Sequence, residues 1–293
     1  MRRAGTVAVL GRPNAGKSTL VNALVGEKVA IVSDKPQTTR RRLLGILTRP
    51  DGQLVFVDTP GLHKPLHRLN RGMLAEALEA MREVDLRVLV VDVSVAWGHG
   101  DDYALDLVAK APSPRIALLN KIDLVAKGRL LPRIAQLAEG AVFDEIVPVS
   151  ALSGDGLKAL PELLLRYLPE GDDLFPEDTV TTTEDRVRWA EVIREKLLER
   201  TREEVPFGLG VVVESVKTDE EKDLVVVIAT VVVDREGHKK IVLGAGGRMI
   251  KEAGTAARLE LERTFGGRFY LDLNVVARPG WREDGRFLSS LTS

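Results

Sequence analysis

The sequence predicts an α/β domain built on a mostly parallel, doubly wound sheet, followed by a smaller α+β domain. Two changes of rhythm carry that expectation. Up to about Leu168, short apolar runs alternate with amphipathic helical patterns, which is how a parallel sheet acquires helices on both faces. Pro169-Glu170-Gly171-Asp172-Asp173 then interrupts the alternation, and Gly, Pro and acidic residues continue to about Thr183. A chain of 293 residues holds two domains at roughly 150 residues each. The expected division is residues 1–170, a linker at 171–183, and residues 184–293.

Each element follows from a local pattern. Apolar runs at Val7–Leu10, Leu43–Leu47, Leu54–Val57, Leu86–Val93, Ile116–Leu119 and Ile146–Val149 read as buried strands. Apolar positions at helical spacing place helices around Lys17–Val25, Met73–Arg82, Tyr103–Ala109, Leu130–Leu137 and Leu157–Tyr167. Past the linker, a charged helix over Glu184–Arg202 precedes valine-rich strands at Gly210–Val216 and Leu224–Val233. Ile241-Val242-Leu243 is a short apolar stretch running into Gly244-Ala245-Gly246-Gly247, with helix to about Phe265 and a last strand at Phe269–Ala277.

Composition excludes several classes. Hydrophobic content of 44% and charged content of 29% describe an ordinary soluble globular chain. The net charge is −1, so any surface for polyanions is a local patch. There are no cysteines, which rules out disulfides, thiolate zinc sites and cysteine nucleophiles and fits a reducing compartment. Strand-like sequence begins by Thr6, leaving no room for a signal peptide. The longest apolar run, Leu224–Val233, has ten residues, too few to span a bilayer. The cytoplasm is the expected compartment, with surface contact to a membrane left open.

Gly11-Arg12-Pro13-Asn14-Ala15-Gly16-Lys17-Ser18 matches G-x-x-x-x-G-K-[ST] between the first strand and the first helix, where a phosphate-binding P-loop belongs. Backbone N–H groups of such a loop wrap the β-phosphate, aided by the positive end of the following helix. Lys17 is expected to reach the β- and γ-phosphates, and the Ser18 hydroxyl to bind Mg²⁺. Thr19, next on the helix, joins the nucleotide-binding set.

Three further motifs narrow the nucleotide. Asp58-Thr59-Pro60-Gly61 follows Leu54–Val57, so Asp58 sits at a strand's carboxyl end, where it holds Mg²⁺ through water, while the Gly61 N–H meets the γ-phosphate. Asn120-Lys121-Ile122-Asp123 follows Ile116–Leu119. Asp123 accepts from both N1–H and the exocyclic amine of guanine, a bidentate pairing that adenine does not offer. Ser150-Ala151-Leu152, after Ile146–Val149, supplies a backbone contact to guanine O6. Four motifs in order, each after its own strand, predict a P-loop GTPase domain and GTP as the ligand.

Between the P-loop helix and the next strand lies Ser33-Asp34-Lys35-Pro36-Gln37-Thr38-Thr39-Arg40-Arg41-Arg42. A mobile switch at this place supplies a threonine to Mg²⁺ and the γ-phosphate. Thr39 is favoured, with Thr38 as the alternative. Phosphoryl transfer is mostly positioning and charge neutralisation, which assigns Lys17, Thr39, Gly61 and Mg²⁺ to catalysis. The position after Gly61, where a water-orienting glutamine is usual, holds Leu62, which cannot hydrogen-bond water. Asn14 is the candidate to fill that gap, its amide oxygen coordinating a K⁺ ion that bridges phosphate oxygens; the competing reading is a side chain that only stabilises the turn. His63 and His67 are candidates for general bases on a polar loop and read more simply as solvated.

Gly244-Ala245-Gly246-Gly247 reads as a G-x-x-G loop before a helix beginning near Arg248. In a KH module such a loop clamps about four single-stranded nucleotides. Residues 239–268 carry seven bases (Lys239, Lys240, Arg248, Lys251, Arg258, Arg263, Arg268) against three acids, an excess of four. The helix-strand-strand-helix-helix-strand order matches a KH-like domain of the bacterial type (type II).

GTPase motifs followed by a KH-like domain resemble the bacterial Era GTPase family, within the Era/TrmE group of translation-associated GTPases, over essentially the whole chain. Gly11–Ser18, Pro36-Gln37-Thr38-Thr39-Arg40, Asp58-Thr59-Pro60-Gly61, Asn120–Asp123 and Ser150-Ala151-Leu152 carry the resemblance, and Leu62 agrees with a hydrophobic residue at that place. The resemblance implies slow GTP hydrolysis, a role in maturing the small ribosomal subunit, and a KH domain that holds the single-stranded 3′ end of its RNA when GTP is bound. It also implies peripheral association with the inner membrane, and a monomer is expected. Family loops commonly carry lysines inside G-x-x-G; here Ala245-Gly246 fill it, which shifts the expected grip to Lys239, Lys240, Arg248 and Lys251. The alternatives are a membrane-associated signalling GTPase with a protein-binding C-terminal domain, and a P-loop kinase of small molecules. The guanine reader argues against the kinase.

Overall fold

Six strands assemble in the order β2-β3-β1-β4-β5-β6: β1 (Arg3–Leu10), β2 (Leu43–Arg49), β3 (Gly52–Asp58), β4 (Leu86–Asp92), β5 (Arg115–Asn120) and β6 (Glu145–Pro148). Only β2 runs antiparallel, as the hairpin partner of β3; the rest are parallel. The computed structural model describes residues 2–35, 38–40, 42–62, 68–112 and 114–290. Pro36, Gln37, His63 and His67 lie outside them.

The central strands are apolar on both sides, as a sheet covered by helices on both faces requires. One core holds Val7, Val9, Leu54, Phe56, Leu86, Val88 and Val90 with Leu20 and Leu24 of α1 (Lys17–Val25) and Leu160 and Leu164 of α5 (Leu160–Leu165). The opposite face packs Ala8, Leu10, Val57, Leu89 and Val91 against Ala77, Ala80 and Met81 of α2 (Arg68–Glu83) and Ala104 and Val108 of α3 (His99–Ala109), with Leu137 of α4 (Leu130–Glu139). The carboxyl ends of β1, β3, β4 and β5 therefore meet along one edge of the sheet, where α/β proteins bind ligands.

The second sheet is three-stranded, β7 (Leu209–Asp219), β8 (Leu224–Val233) and β9 (Arg268–Ala277), with β7 antiparallel and β9 parallel to β8. Odd-numbered residues such as Val227, Ala229, Val231 and Val275 face α6 (Asp185–Arg200) and α8 (Arg248–Phe265), whose Ala253, Ala257 and Leu261 form a buried stripe at helical spacing. Trp189 closes the end of this core with its ring edge-on to Phe265 and Phe269. The stretch 241–243 is the end of a helix, α7 (Glu236–Leu243), in which Val242 is buried and Ile241 exposed. A short helix α9 (Gly285–Ser290) follows. No helix among the described residues is long and apolar enough to cross a membrane.

Contacts divide the chain into two units, residues 1–30, 37–66 and 70–182 in the first, residues 31–36, 67–69 and 183–293 in the second. Within the first, Gln53 is fully buried on β3. Its Oε1 accepts the N–H groups of Leu174 and Phe175, and its Nε2 donates to Phe175 O and Thr48 Oγ1. Ile46 N donates to Val180 O, so residues 174–180 run alongside the β2–β3 hairpin. Gln53→Ala orphans these backbone groups and is expected to cost about 2–3 kcal/mol, read as a lower urea midpoint at an unchanged m-value.

Candidate nucleotide site and RNA interface

The P-loop leaves β1 at Leu10 and enters α1 at Lys17 through Gly16 in a left-handed conformation (φ 93°). A side chain at residue 16 would meet Asn120 Nδ2 at 2.3 Å, so glycine is required for geometry and for space. Asn120 is buried; its Nδ2 donates to Ala15 O at 2.8 Å and its Oδ1 accepts from Ala151 N at 2.9 Å. One side chain therefore ties the phosphate loop to the Ser150-Ala151-Leu152 loop. Ser150 donates to Asp123 Oδ1 at 2.6 Å, which aims that carboxylate, and Leu152 on the same loop is exposed. Lys121 Nζ donates to Asn14 O at 2.8 Å and pairs with Asp92 Oδ2 at 2.6 Å. Arg12 pairs with Asp101 at the start of α3.

At the phosphate end, Lys17 is buried and its ammonium donates to Gly11 O and Arg12 O. Ser18 Oγ donates to Asp58 Oδ2 at 2.6 Å and lies 2.8 Å from Thr39 Oγ1. The threonine that reaches Ser18 is thus Thr39. Asp58 Oδ1 is buried without a partner of hydrogen-bond geometry. Two hydroxyls and one half-used carboxylate suit Mg²⁺, which takes few protein ligands and keeps substrate phosphates and water in its shell. Among the described residues no cluster of three His, Cys, Asp or Glu competes for a metal.

Burial pushes Asp58 up from the ordinary 3.8 to about 6, against the opposing pull of Lys17, Ser18 and Thr39. Burial likewise lowers Lys17 from 10.5 to about 8, with Asp58 opposing. Pro60 is buried, Gly61 backs onto Pro13, and Leu62 N donates to Gly11 O at 3.0 Å. Leu62 is fully buried in the core with Leu10, Val57 and Ala77, so its side chain is a packing anchor for the loop. Thr59 is turned inward too, its hydroxyl donating to Val9 O.

In the second unit, Gly244, Gly246 and Gly247 all adopt positive φ (72°, 59° and 78°), and the loop delivers the chain to the N-terminus of α8. Lys240, Ala245, Gly246, Arg248 and Lys251 are exposed around it and Lys239 is half-buried. Beside the loop runs a groove of about 390 Å³ lined by Ile250, Lys251, Gly254, Thr255 and Arg258 of α8 and Tyr270, Leu271 and Leu273 of β9. Its lining mixes apolar and aromatic side chains (Ile250, Leu271, Leu273, Tyr270) with the cations Lys251 and Arg258, residue types that suit unstacked bases.

Comparison with known proteins follows the same division. Residues 6–121 match the family described as 50S ribosome-binding GTPase, and residues 208–282 match the KH domain. The GTPase Era of Geobacter metallireducens is 45% identical over 99% of this chain and 97% of its own. The chain belongs to the Era GTPase family. Era of Geotalea uraniireducens is 44% identical over 98% of this chain and 96% of its own. Two solved Era structures agree, each 37% identical over 99% of this chain. A variant of Aquifex aeolicus Era bound to GDP·AlF₄⁻ superposes with a TM-score of 0.93 over 98% of that chain. Era in complex with MgGDPNP and nucleotides 1506–1542 of 16S ribosomal RNA superposes with a TM-score of 0.94 over 99% of that chain. These relatives narrow the Era/TrmE resemblance to Era. The first domain is a P-loop GTPase domain and the second a KH domain.

Sequence reading missed Asp92, Asp101 and the groove residues on β9. Asp92 carried one signal, an acid at the carboxyl end of a parallel strand; Tyr270 and Leu273 carried none.

Because the fold raises the pKa of Asp58, protons bind the native state more tightly than the unfolded chain between pH 3.8 and about 6. Stability without nucleotide or Mg²⁺ should therefore fall as pH rises through that window. Asp58→Asn should flatten this step in calorimetric scans run in chelator; coincident profiles refute it.

Proposed function

We propose that this chain is a GTP-driven switch whose output is its grip on single-stranded RNA at the 3′ end of small-subunit ribosomal RNA, in the service of 30S subunit assembly. The observation that carries this reading is the pairing, in one chain, of a guanine-nucleotide site with the G-x-x-G loop and partly apolar groove of a KH domain. The 16S ribosomal RNA fragment bound by the similar Era structure supports the choice of RNA.

In this reading residues 1–170 bind and hydrolyse GTP, 171–183 link, and 184–293 hold RNA. Residues 11–19, Asp58–Gly61, Asn120, Lys121, Asp123 and Ser150–Leu152 form the nucleotide site. Asp123 selects guanine, while the backbone of the Ser150-Ala151-Leu152 loop answers O6. Ser18 and Thr39, with Asp58 acting through water, would hold Mg²⁺, which when bound neutralises charge on the β- and γ-phosphates. Lys17 exchanges its two carbonyl partners for phosphate oxygens, and the Gly61 N–H fixes the γ-phosphate. Asn14 would offer its carboxamide oxygen to a K⁺ ion, which would supply the charge neutralisation that an arginine finger supplies elsewhere. Lys239, Lys240, Arg248 and Lys251 pair with RNA phosphates while residues 244–247 let the backbone approach. The chain acts as a cytoplasmic monomer with peripheral contact to the inner membrane; co-sedimentation with anionic vesicles tests that last element.

Nucleotide choice, cation dependence and RNA affinity test the core of the reading. Asp123→Asn should shift preference from guanosine to xanthosine nucleotides in calorimetric titration, and GTP hydrolysis should run faster in K⁺ than in Na⁺ with Asn14→Ala erasing the difference. Gly247→Asp should weaken binding of a short 16S 3′-end RNA by roughly tenfold or more, and wild-type affinity should fall steeply with salt. Equal RNA affinity in the GTP-analogue and GDP forms would sink the switch.

A further inference from the structure

Asp92, the last residue of β4, is 7% exposed and stands in register with Asn120 on β5. Its Oδ1 accepts from Ser94 N and Ser94 Oγ, and its Oδ2 takes the Lys121 ammonium at 2.6 Å. That ammonium also donates to Asn14 O. One cation therefore joins the end of β4, the tip of the P-loop and the residue between Asn120 and Asp123.

The two backbones it joins are both left-handed. Asn14 has φ 63° and Lys121 φ 69°; asparagine enters this region readily, whereas a lysine stays there only when its surroundings hold it. β4 itself needs no such help, since it is paired along both edges with β1 and β5. Burial acts to raise the Asp92 carboxyl, and the bonds from Lys121 and Ser94 outweigh it, leaving the group below the ordinary carboxylate range and charged. With one oxygen occupied by Ser94, the carboxylate is anchored to its own strand end, and its second oxygen holds the lysine.

We propose that Asp92 is a positioning residue for guanine-nucleotide binding, holding the Lys121 ammonium where it clamps the P-loop tip to the base-reading loop. The proposal rests on the nucleotide site described above. Asp92 itself touches no nucleotide in this scheme.

The test is a double-mutant cycle in the full-length chain, with GDP affinity read by isothermal titration calorimetry. Asp92→Asn, which keeps shape and removes charge, should weaken GDP about tenfold, and the loss should appear in KM for GTP with kcat retained. In a Lys121→Met background the same change should add nothing. Asp92→Glu, which restores the charge, should recover most of the affinity. An equal loss in both backgrounds, or a fall in kcat with KM unchanged, would mean a merely structural role and overturn the proposal. If Lys121→Met weakens GDP binding and Asp92→Asn does not, the proposal alone fails. If the unaltered chain does not bind GDP, the nucleotide site falls and the proposal with it.

Discussion

Two hydrogen bonds made by one buried carboxamide govern the nucleotide end of the first domain. Asn120 donates to the P-loop at Ala15 O and accepts from Ala151 N. Neither end of the amide is left for water, and without it two buried backbone groups would lose their partners, each at a cost of about 1–3 kcal/mol. The glycine at 16 exists to let that side chain in. Because Asn120 closes β5, the sheet's own hydrogen bonding sets the distance between the phosphate cradle and the base pocket.

Electrostatics adds what geometry begins. Lys17 and Asp58 are both withdrawn from water and both pushed toward their neutral forms, to about 8 and about 6. A site built this way holds charge it has not fully compensated, and a polyanion arriving with a divalent cation supplies the compensation. Lys17 meanwhile rests on two backbone carbonyls that a phosphate oxygen can replace. The base end is organised differently: Asp123 is steered by a neutral hydroxyl, and an ion pair there, buried Asp92 with half-buried Lys121, braces loops.

The KH domain reuses the same device at lower cost in precision. A glycine-rich turn again leads into a helix N-terminus, with three positive-φ glycines keeping side chains off the approach. Among its described residues no lysine is buried; its cations are mostly on the surface and its groove is partly apolar. That combination suits a flexible strand held by many weak contacts.

The strand–helix order, the four guanine-nucleotide motifs and the G-x-x-G loop were legible in the sequence, because each is a short run of residue types at fixed spacing on one element. Boundaries were less so. The apolar run Val7–Leu10 is only part of β1, since Arg3 and Thr6 pair through backbone whatever their side chains. The stretch 241–243 reads as an isolated apolar run because α7 buries little besides Val242, and a polar helix has no period to show. Tertiary structure brought the favoured Thr39 to Ser18, and it alone turned Leu62 and Thr59 inward, bound residues 174–175 to Gln53, and set Tyr270 and Leu273 beside Gly254. It also gave Lys121 a partner 29 residues away and Asn120 one 105 residues away. Residue type and spacing are local quantities, and a sequence states them directly. Which distant groups share an edge depends on the order in which strands pair, and that exists only once the sheet has formed.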